Sequence, residues 1–574
     1  MNKIILTLFA ISQCLLLTAQ KSAPKWLTKS RNAVISITTY DKENRKIQSG
    51  TGFFISETGE ALSSYTLFEG VTRAEVTDTE GKTYPVEQIL GGDELYDVIR
   101  FQVAAPKKVN YLPLAKEPVA LQTQVYLLPY STGKTVAFKQ GQILEVSKLK
   151  ESFGYYKVSF PLDITEKNAP LLLENGEVLG LAQESAGKGK DVSYAVSAGY
   201  LKSLHINSMD VLNSNYQSLL IKKAWPANAD QALVALFLLR NSQNAQEYLE
   251  TLNDFIRTFP STTDGYLNRA SHYAHSRKEL AGSGDPNEYL RLAISDLKEA
   301  SRHTDNKGNI LYSQAKLIFE VASTDTTITD PQWTLQAAGE SIRKAIEAED
   351  LPLYHQLQGD INFYVSQFEQ AYQEYQLVNA SNIASPQSFY MAAQARENTP
   401  GFNTAEIIAL LDSAINRTGN PPTASAAPYV LERIDWKMKL MLYKEAVEDY
   451  NLYYDLLKGE VNAPFYYYRE QAKYRADDLQ GALADIEEAM FRDPKAPDYQ
   501  AEAASIHIRL EEYAKAEEYL DKALQLAPEF ASCYRLKGIC RMRQNKKAEA
   551  CTFFNKAKEL GDPLADRLIK TNCN

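Results

Sequence analysis

The chain has 574 residues, 44% of them apolar and 23% charged, with a formal net charge of −10 and an isoelectric point near 5.4. That length exceeds what one hydrophobic core spans, so two or more domains are expected. The acidic balance argues against a nucleic-acid binder, which would present a basic surface, and favours a soluble protein with no polyanionic partner.

The N-terminus reads "MNKIILTLFAISQCLLLTAQ", with Lys3, an apolar run from Ile4 to Leu17, and the small residues Thr18 and Ala19. This is the layout of a secretory signal peptide over residues 1–20, cleaved near Ala19 or Gln20. The apolar run is short for a bilayer span and carries Gln13. A lipoprotein signal would acylate Cys14, yet Gln13 stands where such signals want a small residue. No later apolar run is long enough to cross a membrane, so the expectation is an exported protein, periplasmic or envelope-associated in preference to secreted or lipid-anchored.

Residues 25–205 read as short strands broken by turns. Runs such as "NAVISITTY", "GTGFFIS", "VIRFQV", "VYLLPY", "YYKVSF" and "VLGLAQ" are separated by Gly, Asp, Asn and Pro. Many short strands without a long helix predict an all-β barrel or sandwich domain. The segment "SGTGFFISETGEALSSYTLFEG" (Ser49 to Gly70) is similar to the opening motif of bacterial trypsin-like serine proteases of the Deg, or high-temperature-requirement, type. In that family a Thr-Asn-x-His-Val-Val-x-Gly phrase carries the catalytic histidine; matching Tyr65, Glu69 and Gly70 puts Ser63 and Ser64 on Thr-Asn and the histidine on Thr66.

The later landmarks of the family are split. "GGDELYDVIRFQV" resembles the segment whose aspartate orients the histidine, and that residue is Asp97. "NAPLLLENGEVLGLAQ" resembles the end of the Gly-Asn-Ser-Gly-Gly-Pro-Leu segment, anchored by Pro170, Leu171 and Gly176 to Val178. Counting back from those anchors puts the nucleophilic serine on Lys167, and the family's flanking glycines become Thr165, Asn168 and Ala169. "VSYAVSAGYLKSL" (Val192 to Leu204) looks like the closing strand and short helix of the fold.

The resemblance therefore implies a trypsin-like double β-barrel with degenerate triad positions Thr66, Asp97 and Lys167. A triad needs a base, a nucleophile and an acid that holds the base. Threonine cannot accept the proton near neutral pH, lysine has no hydroxyl, and the glycine-rich turn that aims backbone N–H groups at an oxyanion is gone. All six histidines lie at position 205 or beyond, so none in the β region can stand in. The expectation is a pseudoprotease, not an enzyme. Two partners for Asp97 are open: an ion pair with Lys167 across the space left by Thr66, or hydrogen bonds from backbone or from Ser63, Ser64 or Thr66.

Residues 206–227 read as a linker, and residues 228–563 as helices. Counting from the C-terminal end, Ala482, Ala516 and Ala550 are spaced 34 apart, with Ala489, Ala523 and Ala557 following in step. That is the period of tetratricopeptide repeats, in which small residues let two helices approach and larger apolar ones fill between units. Gly359, Ala371 and Tyr375 mark an earlier clear unit, and about eight or nine pairs are expected, closed by a capping helix over 564–574. "KELAGSGDPNEY" and "ASTDTTITDPQW" lengthen two turns. The tyrosine-rich pieces "YNLYYDLL" and "FYYYREQAKYRADD" suit either helix packing or a peptide groove, with packing the simpler account.

Four cysteines lie in the last 42 residues: Cys533, Cys540, Cys551 and Cys573. They suit one or two disulfides in an oxidising compartment, or buried free thiols. His272 and His275 share a helix face but lack the companions of a metal site, and no phosphate loop, zinc helix or nucleophile elbow is present, so no cofactor or metal is expected. The whole reads as an exported non-catalytic scaffold or polypeptide-binding protein of a cell-envelope complex. Its protein or peptide partners would be met through the repeats and the pseudoprotease groove. The alternative is an active trypsin-like serine endopeptidase with an unconventional site.

Overall fold

The computed structural model describes residues 23–105, 107–150, 152–185 and 191–573; the signal-peptide segment 1–20 lies outside them. The chain divides into two compact units, the first ending at Thr304 and the second beginning at Asp305.

In the first unit, strands β1 (Val34–Tyr40), β2 (Lys46–Phe54), β3 (Glu60–Ser63), β4 (Arg73–Thr77), β5 (Thr83–Asp93) and β6 (Val98–Val103) close into a barrel in the order β1-β2-β3-β6-β5-β4. A second closed barrel, β10-β11-β12-β9-β8-β7, is made by β7 (Gln124–Leu127), β8 (Lys139–Leu149), β9 (Phe153–Val158), β10 (Pro170–Leu173), β11 (Val178–Gln183) and β12 (Ser193–Ser197). All pairings within each barrel are antiparallel.

Adjacent apolar residues explain how the barrels join. Side chains alternate across a strand, so Phe53 and Phe54, Ala61 and Leu62, or Val98 and Ile99 cannot face the same core. Phe54, Ala61 and Ile99 fill the first barrel with Ile35, Ile37 and Phe101. Phe53, Leu62 and Val98 instead meet Tyr126, Leu128, Leu172 and Val196 of the second barrel in one shared apolar layer. Burying each such side chain contributes roughly 1.5–3 kcal/mol, so the layer holds the barrels together and fixes the cleft above it.

Residues 206–227, expected as a linker, are instead a strap across the first barrel. Leu219 and Ile221 are buried in that barrel's core. The N–H of Gly70 donates to the Ser218 carbonyl at 2.9 Å; Ile89 donates to Lys222 and accepts from Ala224, each at 2.8 Å. Just before the strap, Arg100 donates to the carbonyls of Lys202 (2.6 Å) and Leu204 (2.9 Å). Gly91 is required there, because a Cβ would lie 2.6 Å from the Leu204 carbonyl carbon. Two apolar residues in a polar stretch and unpaired backbone on β5 turn this connection into part of the domain. Two helix pairs complete the first unit, Ala229–Leu239 with Ala245–Thr258 and Thr263–His275 with Pro286–Ala300.

The second unit is helical, with seven successive pairs from Lys307 to Glu559 among the described residues and a final helix, Ala565–Asn572. Ala482, Ala516 and Ala550 are wholly buried, as their spacing requires. Partners within a pair sit 16 residues apart. Arg433 grips Asp449 with two hydrogen bonds (2.9 and 2.6 Å) and Arg469 grips Asp485 likewise (2.8 and 2.6 Å), while Lys437 and Lys473 each add an ion pair at 2.8 Å. Such bidentate, charge-assisted bonds are what lets a nearly buried carboxylate stay ionised. Gly359 faces Tyr375 with the same spacing, and a Cβ would come within 2.8 Å of its ring. The tyrosine-rich helices pack: Phe465 and Tyr466 are core residues with the Arg469 guanidinium over both rings. A disulfide joins Cys551 to Cys573 and ties down the final helix, while Cys533 and Cys540 are buried free thiols.

Glu470, on the helix Ala463–Arg475, is the solenoid's electrostatic exception. It is fully buried; one carboxylate oxygen accepts from Gln471 at 2.7 Å and the other has no hydrogen-bond partner. Burial, reinforced by Glu502 and Asp485 and opposed by Gln471 and Arg475, pushes its pKa up to about 8. The folded state therefore holds a proton that the unfolded chain releases near 4.5, so stability should be greatest below that value and fall as pH rises towards 8. The slope expected from this one group is roughly 1.4 kcal/mol per pH unit. Urea midpoints of the helical transition at pH 5 and pH 8.5 check this: Glu470→Gln should flatten the difference, which a Glu470 already ionised at pH 5 would not allow.

Candidate functional site

The cleft over the shared layer gathers the residues that the sequence singled out. β3 ends at Ser63, and the chain turns at once, with the Phe68 N–H bonded to the Tyr65 carbonyl at 2.8 Å, which presents Thr66 outward. Asp97 ends a turn before β6, its N–H bonded to the Glu94 carbonyl at 3.0 Å and its φ at +47°, a conformation that short polar side chains tolerate. The two meet directly. One oxygen of Asp97 accepts from the Thr66 N–H at 2.8 Å and from the Thr66 hydroxyl at 2.7 Å.

Lys167 does not complete this pair. It follows a short 3-10 turn, Ile164–Glu166, whose start is closed by a capping box between Asp163 and Glu166. Lys139 clamps the same turn, bonding the Pro161 carbonyl at 3.0 Å and pairing with Glu166. From there the Lys167 ammonium pairs with Glu184, just beyond β11. The Lys167–Asp97 ion pair is thus corrected to hydrogen bonding by Thr66. The physical reason is size: threonine is short enough for its own N–H and hydroxyl to reach the carboxylate, so the two loops close on each other without a third side chain.

Two contacts across the seam were not anticipated. Asn168 adopts φ +63°, and its side-chain amide donates to the Ser64 hydroxyl at 2.9 Å, crossing from the second barrel to the first. The Gln183 amide donates to the Tyr96 carbonyl at 2.7 Å, also across the seam. Asn168 stands where the resembled motif has glycine, and a left-handed backbone tolerates asparagine better than most residues; that was the signal available in the sequence. Glu184 carried no such mark.

The loop that presents Thr66 is anchored from below. Tyr65 donates to the Asn215 carbonyl and shares a 3.2 Å hydrogen bond with Ser218, both in the strap. Burial pushes the Tyr65 phenol up, keeping it protonated. Among the described residues no group of His, Cys, Asp and Glu is arranged to hold a metal ion. His272 and His275 sit in a helix, where the His272 ring bonds the Ala245 carbonyl at 2.8 Å and burial lowers its pKa. No helix among the described residues is long and apolar enough to cross a membrane.

If Thr66 is Asp97's partner, Thr66→Val should cost about 1 kcal/mol, the net worth of one hydrogen bond. Lys167→Met should change stability by no more than about 0.5 kcal/mol, because its ion pair is largely exposed. Urea unfolding of the two variants checks the order; a reversed order would reassign Asp97 to Lys167.

Residues 50–181 match the family described as trypsin-like peptidase domain. Over 172 residues, 29% of its length, the chain is 23% identical to the anti-sigma-I factor RsgI9 of Acetivibrio thermocellus and spans about a quarter of that protein (24%). Among solved structures, the active form of the Rv3671c protease from M. tuberculosis is 20% identical, with a TM-score of 0.28, covering 31% of this chain and 82% of that one. A serine-to-alanine mutant of the same protease in its inactive form gives 19% identity and a TM-score of 0.26, covering 31% and 88%. The chain thus carries a trypsin-like double barrel joined to an extensive helical region.

Proposed function

We propose that this chain is an exported pseudoprotease, a non-catalytic scaffold that binds polypeptides in the cell envelope through its barrel cleft and an array of tetratricopeptide repeats. The observation that carries the reading is the Thr66–Asp97 pair. The acid that would orient a histidine is engaged by a threonine hydroxyl and N–H, and no base lies between it and a nucleophile. At the nucleophile position stands Lys167, its ammonium held by Glu184. A cleft so furnished retains shape without a group to take or deliver the proton in acyl transfer.

Support for export comes from the signal-like segment 1–20 and from the Cys551–Cys573 disulfide, which suits an oxidising compartment. Support for the repeats comes from the 34-residue alanine spacing and the buried alanines that follow it. Stacked helix pairs present extended surfaces, and that is the usual basis of polypeptide binding by such arrays.

A serine-reactive fluorophosphonate probe tests the catalytic half of this proposal, with an active trypsin-like protease as control. No labelling of the β domain is expected, and a labelled serine within residues 25–205 would establish the endopeptidase alternative. Cross-linking of the intact exported protein in envelope extract tests the binding half: a captured polypeptide is expected, and recovery of the protein alone would refute it.

A further inference from the structure

A cavity of about 1020 Å³ lies within the first unit, between the strap and the helices Ala229–Leu239 and Ala245–Thr258. Val211, Leu220, Trp225 and Leu239 give it apolar walls. Its charges are unevenly matched. Asp254 already serves Lys222 (2.7 Å), Arg257 (3.0 Å) and the Trp225 indole N–H (3.0 Å), so one carboxylate is shared by two cations. Glu247 closes the start of its own helix, accepting from the Asn244 N–H at 3.1 Å, where the helix dipole favours its charge. Glu250 accepts from the Gln246 amide at 3.4 Å.

Lys223 is left over. Its ammonium lies 4.9 Å from the centre of the Tyr216 ring, and among the described residues it has no carboxylate partner. Burial holds its pKa below the ordinary lysine range, as expected for a cation kept from water without a counter-charge. A second group in the same cavity is also incomplete. The Gln243 side-chain oxygen is shielded from solvent and has no hydrogen-bond donor. Buried acceptors are nearly always satisfied, so an unsatisfied one facing a cavity calls for a ligand that donates.

The cavity therefore lacks a negative charge, a hydrogen-bond donor and something apolar to fill its walls. The last residue of a polypeptide brings all three as a carboxylate, an amide N–H and a side chain. A fatty carboxylate would bring the charge and the apolar body but leave Gln243 without a donor. We propose that this cavity binds the free C-terminus of a polypeptide ending in an apolar residue, with Lys223 as the counter-ion of the carboxylate and Gln243 as acceptor of the terminal amide N–H. The site is distinct from the barrel cleft and deepens the polypeptide-binding reading, on which it rests.

Calorimetric titration of the full mature chain with N-acetyl-Ala-Ala-Leu, its carboxamide and octanoate tests this. The free acid should bind at least about tenfold more tightly than the carboxamide, the scale of one charge-assisted contact, and more tightly than octanoate. Lys223→Met, which keeps an apolar stem over Tyr216, should erase the preference for the acid, and Lys223→Arg should retain much of it. Equal binding of acid and carboxamide, tighter binding of octanoate, or an unchanged preference in Lys223→Met would overturn the site. Absence of tripeptide binding while cross-linking still captures a polypeptide removes this site alone; failure of both experiments removes the wider reading as well.

Discussion

The apolar layer shared by the two barrels is the constraint from which the cleft follows. Strands β2, β3 and β6 are apolar on both faces because one face fills their own barrel and the other meets Tyr126, Leu128 and Leu172 of its neighbour. With that layer set, the loops at its upper edge must meet. The polar residues there make the contacts that an apolar seam cannot, Asn168 to Ser64 and Gln183 to Tyr96. A cleft therefore exists whatever chemistry it holds.

The contents of that cleft show a fold maintained by different contacts from those its resemblance implies. Asp97 keeps its place, but its partner is the threonine that stands where a histidine would, and the lysine opposite turns to Glu184. The strap adds a further tie, since Tyr65, next to Thr66, is bonded to Asn215 and Ser218. The site is thus built on the same residues that dock the chain leaving the barrel. In the helical unit the same electrostatic rule recurs: Asp449 and Asp485 are buried because arginine and lysine hold them, whereas Glu470 lacks a cation and keeps its proton instead.

Much of this was legible from residues alone. The alternating and paired apolar runs predicted the barrels, and the alanines at 482, 516 and 550 predicted paired helices, because both patterns are local consequences of how a strand or helix presents its side chains. The lengthened turn Ala322 to Trp333 was marked as a surface insertion, yet Trp333 is buried. The strap was misread as a linker because Leu219 and Ile221 are too few to form a periodic pattern, and their value depends on backbone groups of Gly70 and Ile89 more than a hundred residues away. Asp97 illustrates the same limit, since sequence left two partners open and only distance selected one.

The sequence by itself determined the order of elements, the positions Thr66, Asp97 and Lys167, and the absence of histidine from the β region, for these are matters of residue type and spacing. Tertiary structure alone decided which groups touch: Thr66 with Asp97, Lys167 with Glu184, Cys551 with Cys573, and Lys223 with no acid at all. The physical reason is range. Periodicity reports which way a side chain faces within its own element, while a hydrogen bond or ion pair is settled over a few ångströms between elements brought together by burial of their apolar faces.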